Sequence, residues 1–337
     1  MSPDFNITIA GANPTALLKA RMLSLKVHTS TGKKADSVEM TLDDRGNALA
    51  IPARGAVITL QIGYLGQSLV NAGQYTVDET GIKGGAGDTI TISGKSADMR
   101  DGLKTTKNRS FHATTLGQVV AQIASDNGLT PQVHPDLAPI VIDHRDQTGE
   151  SDMHFATRLA ADHGAIVAPK GGRLIVVPRG AGFSASGGVL TPVTLGRADL
   201  RYWKQQSADR SAYGSVRGRH RNLQSGHEEY ETSGSGDPVH TLRHVHSTAA
   251  LAGRAAASKF KHLQQSSSKV SIEPVIGRPD LWAGRPIVLA GLRDGINGPW
   301  VCADVDHDIN WSAGGFKTTV EATISGKDEE PAGGGGE

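Results

Sequence analysis

The sequence predicts a mainly β protein with an α+β insert, in which two small β-barrel-like domains flank a small α+β module. Short runs near both ends alternate apolar and polar residues, the period of a half-buried strand. Forty-two glycines and 4% aromatics in 337 residues describe many turns and lean cores. Between the two β regions, a helical period followed by extended chain occurs twice.

The first domain is expected over residues 1–107. Leu23, Leu25 and Val27 alternate with Ser24, Lys26 and His28, and Val38, Met40 and Leu42 repeat the pattern after it. Asp43-Asp44-Arg45-Gly46 makes the turn. Ile58, Leu60 and Ile62 alternate with Thr59 and Gln61, and Gly63-Tyr64-Leu65-Gly66 turns the chain again. Further strands fall at Gly73 to Glu79 and Thr89 to Ser93. Five or more short strands at this spacing fit a sandwich or small barrel, in which closure removes open edges.

The α+β module is expected over residues 108–180, as two helix-strand units. In the first, Leu116, Val119, Val120, Ile123 and Ala124 follow helical spacing, Gly128 ends the run and Pro131 to His134 is extended. The second is the stretch GESDMHFATRLAADHGAIV from Gly149. Ser151 is an N-cap, and Asp152 places a carboxylate in the first turn, where free N–H groups and the helix dipole favour it. Phe155 with Leu159 and Ala156 with Ala160 make the apolar stripe, while His154, Arg158 and Asp162 face water. Gly164 supplies a left-handed stop. Ala165 to Ala168 and Leu174 to Val177 then form a hairpin about Lys170-Gly171-Gly172.

The second β-barrel-like domain is expected over residues 181–327, after a Gly- and Ser-rich connector from Gly180 to Pro192. Alternation returns from Val193 and again over Ser211 to His220. Thr232 to Asp237, TSGSGD, reads as a loop. Thr248 caps one helix, about 248–263, striped by Ala252, Ala256, Phe260 and Leu263. Strands follow at Val270 to Val275, Pro286 to Leu289, Trp300 to Asp306 and Phe316 to Ile324. Residues 328–337 are expected to be a disordered Gly-rich tail.

Composition excludes several function classes. Lys and Arg number 35 against 34 Asp and Glu, so no overall field draws the chain to nucleic acid or an anionic membrane. The lone cysteine, Cys302, excludes an intrachain disulfide framework and a thiolate metal cluster, and fits a reducing cytosol. No signal peptide is expected, and no run approaches the ~20 apolar residues of a spanning helix.

A set of local phrases, taken in order, resembles a known family: IGYLG, GQYTVDE, GKSADMRDGLKTTKNRSF running into TLGQVVAQIASDNGL, GESDMHFATRLAADHG, and a final strand led by GGFKTTVEATI. These are similar to the late control protein D family of contractile-tailed phages, whose members resemble the baseplate hub protein and the front half of type VI secretion spikes. The resemblance spans roughly residues 5 to 325 and implies a structural hub of a contractile phage tail or related injection particle. It implies a homotrimeric ring adapting the six-fold tail tube to the three-fold central spike. The implied partners are the tail tube protein, the central spike protein, the tape-measure protein and other baseplate proteins. The implied place is the virion tail baseplate, assembled in the bacterial host cytoplasm. No fused needle or lysozyme domain is expected, so the needle is a separate partner. No catalytic residue, cofactor or metal is implied.

Several constellations compete with that reading. His240, His244 and His246 have metal-like spacing, but no carboxylate or cysteine completes the set. Asp304, Asp306 and Asp308 share one strand face opposite His307, which fits a polar outer face; the rival reading is a tail-associated cell-wall hydrolase using these carboxylates. A carbohydrate-binding module of the particle is a further alternative, resting on four Trp. Arg201, Lys204, Arg210, Arg217, Arg219 and Arg221, interleaved with Tyr202, Trp203 and Tyr213, make a local basic stretch without a recognition helix, so sequence-specific nucleic-acid binding is not expected. The two-residue spacing of Arg217, Arg219 and Arg221 points all three at the lumen of a ring or at a neighbouring subunit. The glycine clusters match no phosphate loop and read as turns.

Overall fold

The computed structural model describes residues 1–31, 35–85, 87–96, 102–170, 172–179, 190–207, 213–222, 224–266, 268–311 and 315–324. The expected Gly-rich tail, most of the 180–192 connector and Arg210 lie outside the described residues.

The N-terminal part contains β1 (Pro3–Ile9), α1 (Thr15–Lys19), β2 (Met22–Ser30), β3 (Ser37–Asp43), β4 (Val57–Tyr64), β5 (Val70–Lys83) and β6 (Thr89–Lys95). Alternation drives these strands. In β3, Val38, Met40 and Leu42 are buried while Glu39 and Thr41 stand towards solvent. Their inward side chains join Phe5, Ile7, Leu25, Ile58, Leu60 and Tyr75 in one core. β1 is an addition to the expected strands, although Phe5 and Ile7 alternate with Asn6 and pair antiparallel with β4.

The middle part contains β7 (Thr106–Thr115), α2 (Leu116–Asp126), β8 (Thr130–Val133), β9 (Val141–Ser151), α3 (Asp152–Asp162), β10 (Ala165–Lys170) and β11 (Arg173–Pro178). Both expected helices are present with their expected buried stripes. Thr115 and Gln118 close a capping box on α2, and the Ser151 hydroxyl accepts from His154 N at 3.3 Å at the start of α3. β10 and β11 form the expected hairpin, and β8 pairs parallel with β11. β7 and β9 form a separate two-stranded ribbon.

The C-terminal part contains β12 (Val193–Gly196), β13 (Leu200–Ser207), β14 (Ser215–Arg221), β15 (Glu228–Gly234), β16 (Val239–His246), α4 (Ala249–Ser266), β17 (Ser268–Pro274), β18 (Pro286–Ala290), β19 (Gly298–Asn310) and β20 (Gly315–Ile324). The Thr248 hydroxyl accepts from Leu251 N, capping α4 as expected. The TSGSGD stretch is only partly a loop, because Thr232 to Gly234 complete β15.

Twelve strands belong to one sheet, with the path β1-β4-β5-β6-β3-β2-β19-β20-β17-β13 and with β18 and β12 branching from β19. Among the described residues this ladder runs open from β1 to β13, and closure into two barrels is not part of it. The mainly β class with a small α+β insert is what the chain adopts.

The β2–β19 pairing, from Asp304↔Ser30 to Asn310↔Ser24, is the seam between the N- and C-terminal parts. Ile309 and Phe316 cross it to join the first core, and the Tyr64 hydroxyl donates to Gly277 O at 2.9 Å. A second core, with Ile272, Ile287, Trp300, Val305 and Val320, lies beyond the seam. The helices and hairpin of the middle part enclose a third. Lys170 pairs with Asp36 at 2.8 Å, and Ser258 Oγ donates to Ala161 O at 3.0 Å, so the middle part is tied to both flanks.

Candidate assembly surface

Strand β14 places the three arginines singled out above. Val216, Gly218 and His220 are buried on the side covered by α4. At Gly218 the helix lies so close that a Cβ would stand 2.2 Å from Ala252 O. Period two therefore sends Arg217, Arg219 and Arg221 to the opposite face, across from Thr232, Tyr230 and Glu228 of β15.

The three are not equivalent. Arg217 and Arg221 are exposed. Arg219 is tied down: its Nε donates to Leu242 O at 3.1 Å, its Nη2 donates to Arg243 O, and its Nη1 lies 3.5 Å from Glu228. Arg217, Arg221 and the half-exposed Tyr230 stand in solvent. Elsewhere in the basic stretch, Arg201 sits 3.6 Å from Glu273.

The histidines of β16 do not converge. His240 meets Tyr213 edge-on at 5.0 Å, whereas His244 and His246 lie perpendicular with centroids 4.8 Å apart. Arg145 of β9 reaches His244 Nε2 at 3.3 Å and Asp162 of α3 at 3.3 Å, so this tract is a joint to the middle part. Burial, with the charges of His244 and Arg145 added, pushes His246 down to about 4. Among the described residues no three His, Cys, Asp or Glu side chains are placed to hold one metal ion together.

On β19 the carboxylates take the outer face and His307 the inner one. Asp306 pairs with His28 at 2.7 Å across the seam. His307 is fully buried and neutral: its Nε2–H donates to Leu281 O at 2.9 Å and its Nδ1 accepts from Thr318 Oγ1 at 3.0 Å. Burial pushes its pKa down to about 4. Burial likewise pushes the Cys302 thiol up to about 12, which makes it a packing group rather than a nucleophile.

Asp152 does more than its sequence position indicates. It is completely buried and accepts four hydrogen bonds: Oδ1 from Arg109 at 2.7 Å and Gln147 at 2.9 Å, Oδ2 from Lys107 at 2.6 Å and Asn127 at 2.8 Å. Arg109 also pairs with Asp126 at 2.5 Å. One carboxylate thus ties β7, β9, α2 and α3 together. The signal available in the sequence was Lys107 and Arg109, two apart on a strand and hence on one face.

Residues 37–313 match the family described as phage tail baseplate hub (GPD). The chain belongs to that family, a class of structural proteins in the baseplate of the phage tail. In particular, it is 32% identical to the probable baseplate hub protein of Escherichia phage 186, over 98% of this chain and 95% of that one. Solved structures share the fold at low identity. The 43 kDa tail protein of prophage MuSo2 from Shewanella oneidensis superposes with a TM-score of 0.71 at 14% identity, covering 96% of this chain and 99% of the other. The E. coli c3393 protein, a type VI secretion component with structural similarity to T4 tail proteins, gives 0.57 at 12% identity over 96% of this chain and 77% of its own. No helix among the described residues is long and apolar enough to cross a membrane.

Proposed function

We propose that three copies of this chain close into a ring that adapts the six-fold tail tube to the three-fold central spike. The observation that carries this reading is the division of the twelve-stranded sheet at the β2–β19 seam. Six strands (β1 to β6) lie on one side and six (β12, β13 and β17 to β20) on the other, each set with its own core. On this reading one chain supplies two β units, expected over residues 1–107 and 181–327, with residues 108–180 as an insert between them. Three such chains offer six similar units to a hexameric tube and keep three-fold symmetry towards the spike.

In this ring Arg217 and Arg221 face the lumen or a neighbouring subunit, while Arg219 fixes the local backbone. The hub acts without catalysis. Its partners are its own copies, the tail tube protein and the central spike protein, with the tape-measure protein passing through or resting on the ring. Native mass measurement of the purified chain tests the reading: the expected species is three times the 35.3 kDa of one chain, and a chain that stays single at all concentrations contradicts it.

A further inference from the structure

Outside these surfaces, the β7–β9 ribbon carries a pair of histidines in an unusual relation. His112 and His144 are direct cross-strand partners, both exposed, with their Nδ1 atoms 2.9 Å apart. The ring centroids are 4.5 Å apart, closer than two rings pointing head-on at each other would stand. The rings are therefore angled rather than collinear, and the two Nδ1 atoms lie in hydrogen-bond contact.

The surroundings orient this pair. His144 Nε2 lies 3.0 Å from Asp146 Oδ2, and Asp146 Oδ1 accepts from Ser110 Oγ at 2.6 Å. A carboxylate on Nε2 keeps the proton there and leaves Nδ1 as a bare donor atom, the arrangement found behind metal-bound imidazoles. Beside His112 the chain passes through Ala113 at φ 43°, a left-handed conformation rare for a residue with a Cβ.

We propose that His112 and His144 form a bidentate surface site for a divalent first-row transition-metal ion of the zinc or nickel class. Both Nδ1 atoms are ligands, and Asp146 is a positioning residue behind His144. The site has two protein ligands from this chain. The remaining coordination positions are open to water or to a donor from another molecule. When the ion enters, the proton shared between the two Nδ1 atoms moves to His112 Nε2, and no net proton is lost from the neutral pair.

Calorimetric titration of the full, chelator-treated chain with ZnCl2 and NiCl2 tests this. The expected result is one ion per chain, bound at least about tenfold more weakly in His112→Asn and in His144→Asn and measurably more weakly in Asp146→Asn. His154→Asn, which changes an exposed histidine of α3, leaves the affinity unchanged. Imidazole NMR of the unmutated chain gives a second reading that needs no variant: two histidine spin systems shift together at one equivalent of Zn2+. Affinity unaltered by both histidine variants, or no paired shift, overturns the site.

Discussion

Asp152 stays a carboxylate in a fully buried place because four donors surround it. Burial alone would raise its pKa, but the hydrogen bonds of Lys107, Gln147 and Asn127 and the charge of Arg109 outweigh it and hold the group below the ordinary range. A depressed carboxyl pKa contributes stability above the unfolded value of about 4, and that contribution is lost as pH falls through the folded value. Asp152→Ala leaves Lys107 and Arg109 with Asp126 as the carboxylate beside them. The cost is of the order of 3 kcal/mol, the low end for breaking a buried pair, because both cations keep some exposure. Urea unfolding checks it, and a loss under about 1 kcal/mol would mean that the cations simply turn to solvent. Ser151→Ala removes only the α3 cap and costs about 1 kcal/mol; a change below a few tenths would mean that the helix starts elsewhere. The cap was legible from Ser151 and the apolar stripe behind it. The Asp152 partners were not, since Lys107 lies 45 residues away in the chain.

At the scale of elements, legibility followed burial. Strands with one buried face, such as β3 and β4, announce themselves by alternation. The β7–β9 ribbon does not, because its residues are mostly exposed or half-exposed on both faces, and polar residues occupy both parities. β15 hid for the same reason within a Ser- and Gly-rich stretch. Likewise the seam between β2 and β19 joins residues about 280 apart, which no local pattern specifies. Two predictions belong here. Gly218→Ala sets a methyl against the Ala252 carbonyl and lifts α4 from β14, costing about 1–3 kcal/mol, as overpacking does. Thermal unfolding reads this, and an unchanged midpoint would show that the helix is not seated on that strand. In β19, His307 has a folded pKa of about 4, below its unfolded value of about 6.5. The unfolded chain therefore binds more protons between those limits. Stability is fully present above pH ~6.5 and falls by about 3 kcal/mol as pH drops to about 4. Urea midpoints across this range should lose part of that slope in His307→Gln; an identical slope would place the titration elsewhere.

At the scale of the whole molecule, the N- and C-terminal parts share a continuous sheet and are tied to the middle part through Lys170–Asp36 and Arg145–His244. Such bracing suits a part whose work is to hold a fixed geometry between neighbours rather than to close on a ligand. Reversing the two exposed cations, Arg217→Glu with Arg221→Glu, should leave the monomer's unfolding free energy within about 0.5 kcal/mol, as surface substitutions do. It should shift the ring towards single chains in sedimentation; intact rings would remove these residues from the interface. The most direct test of the hub account is electron cryomicroscopy of the purified chain alone. The account predicts three-fold particles with six β units around the rim, two from each chain, and single chains or a ring showing one β unit per chain would contradict it.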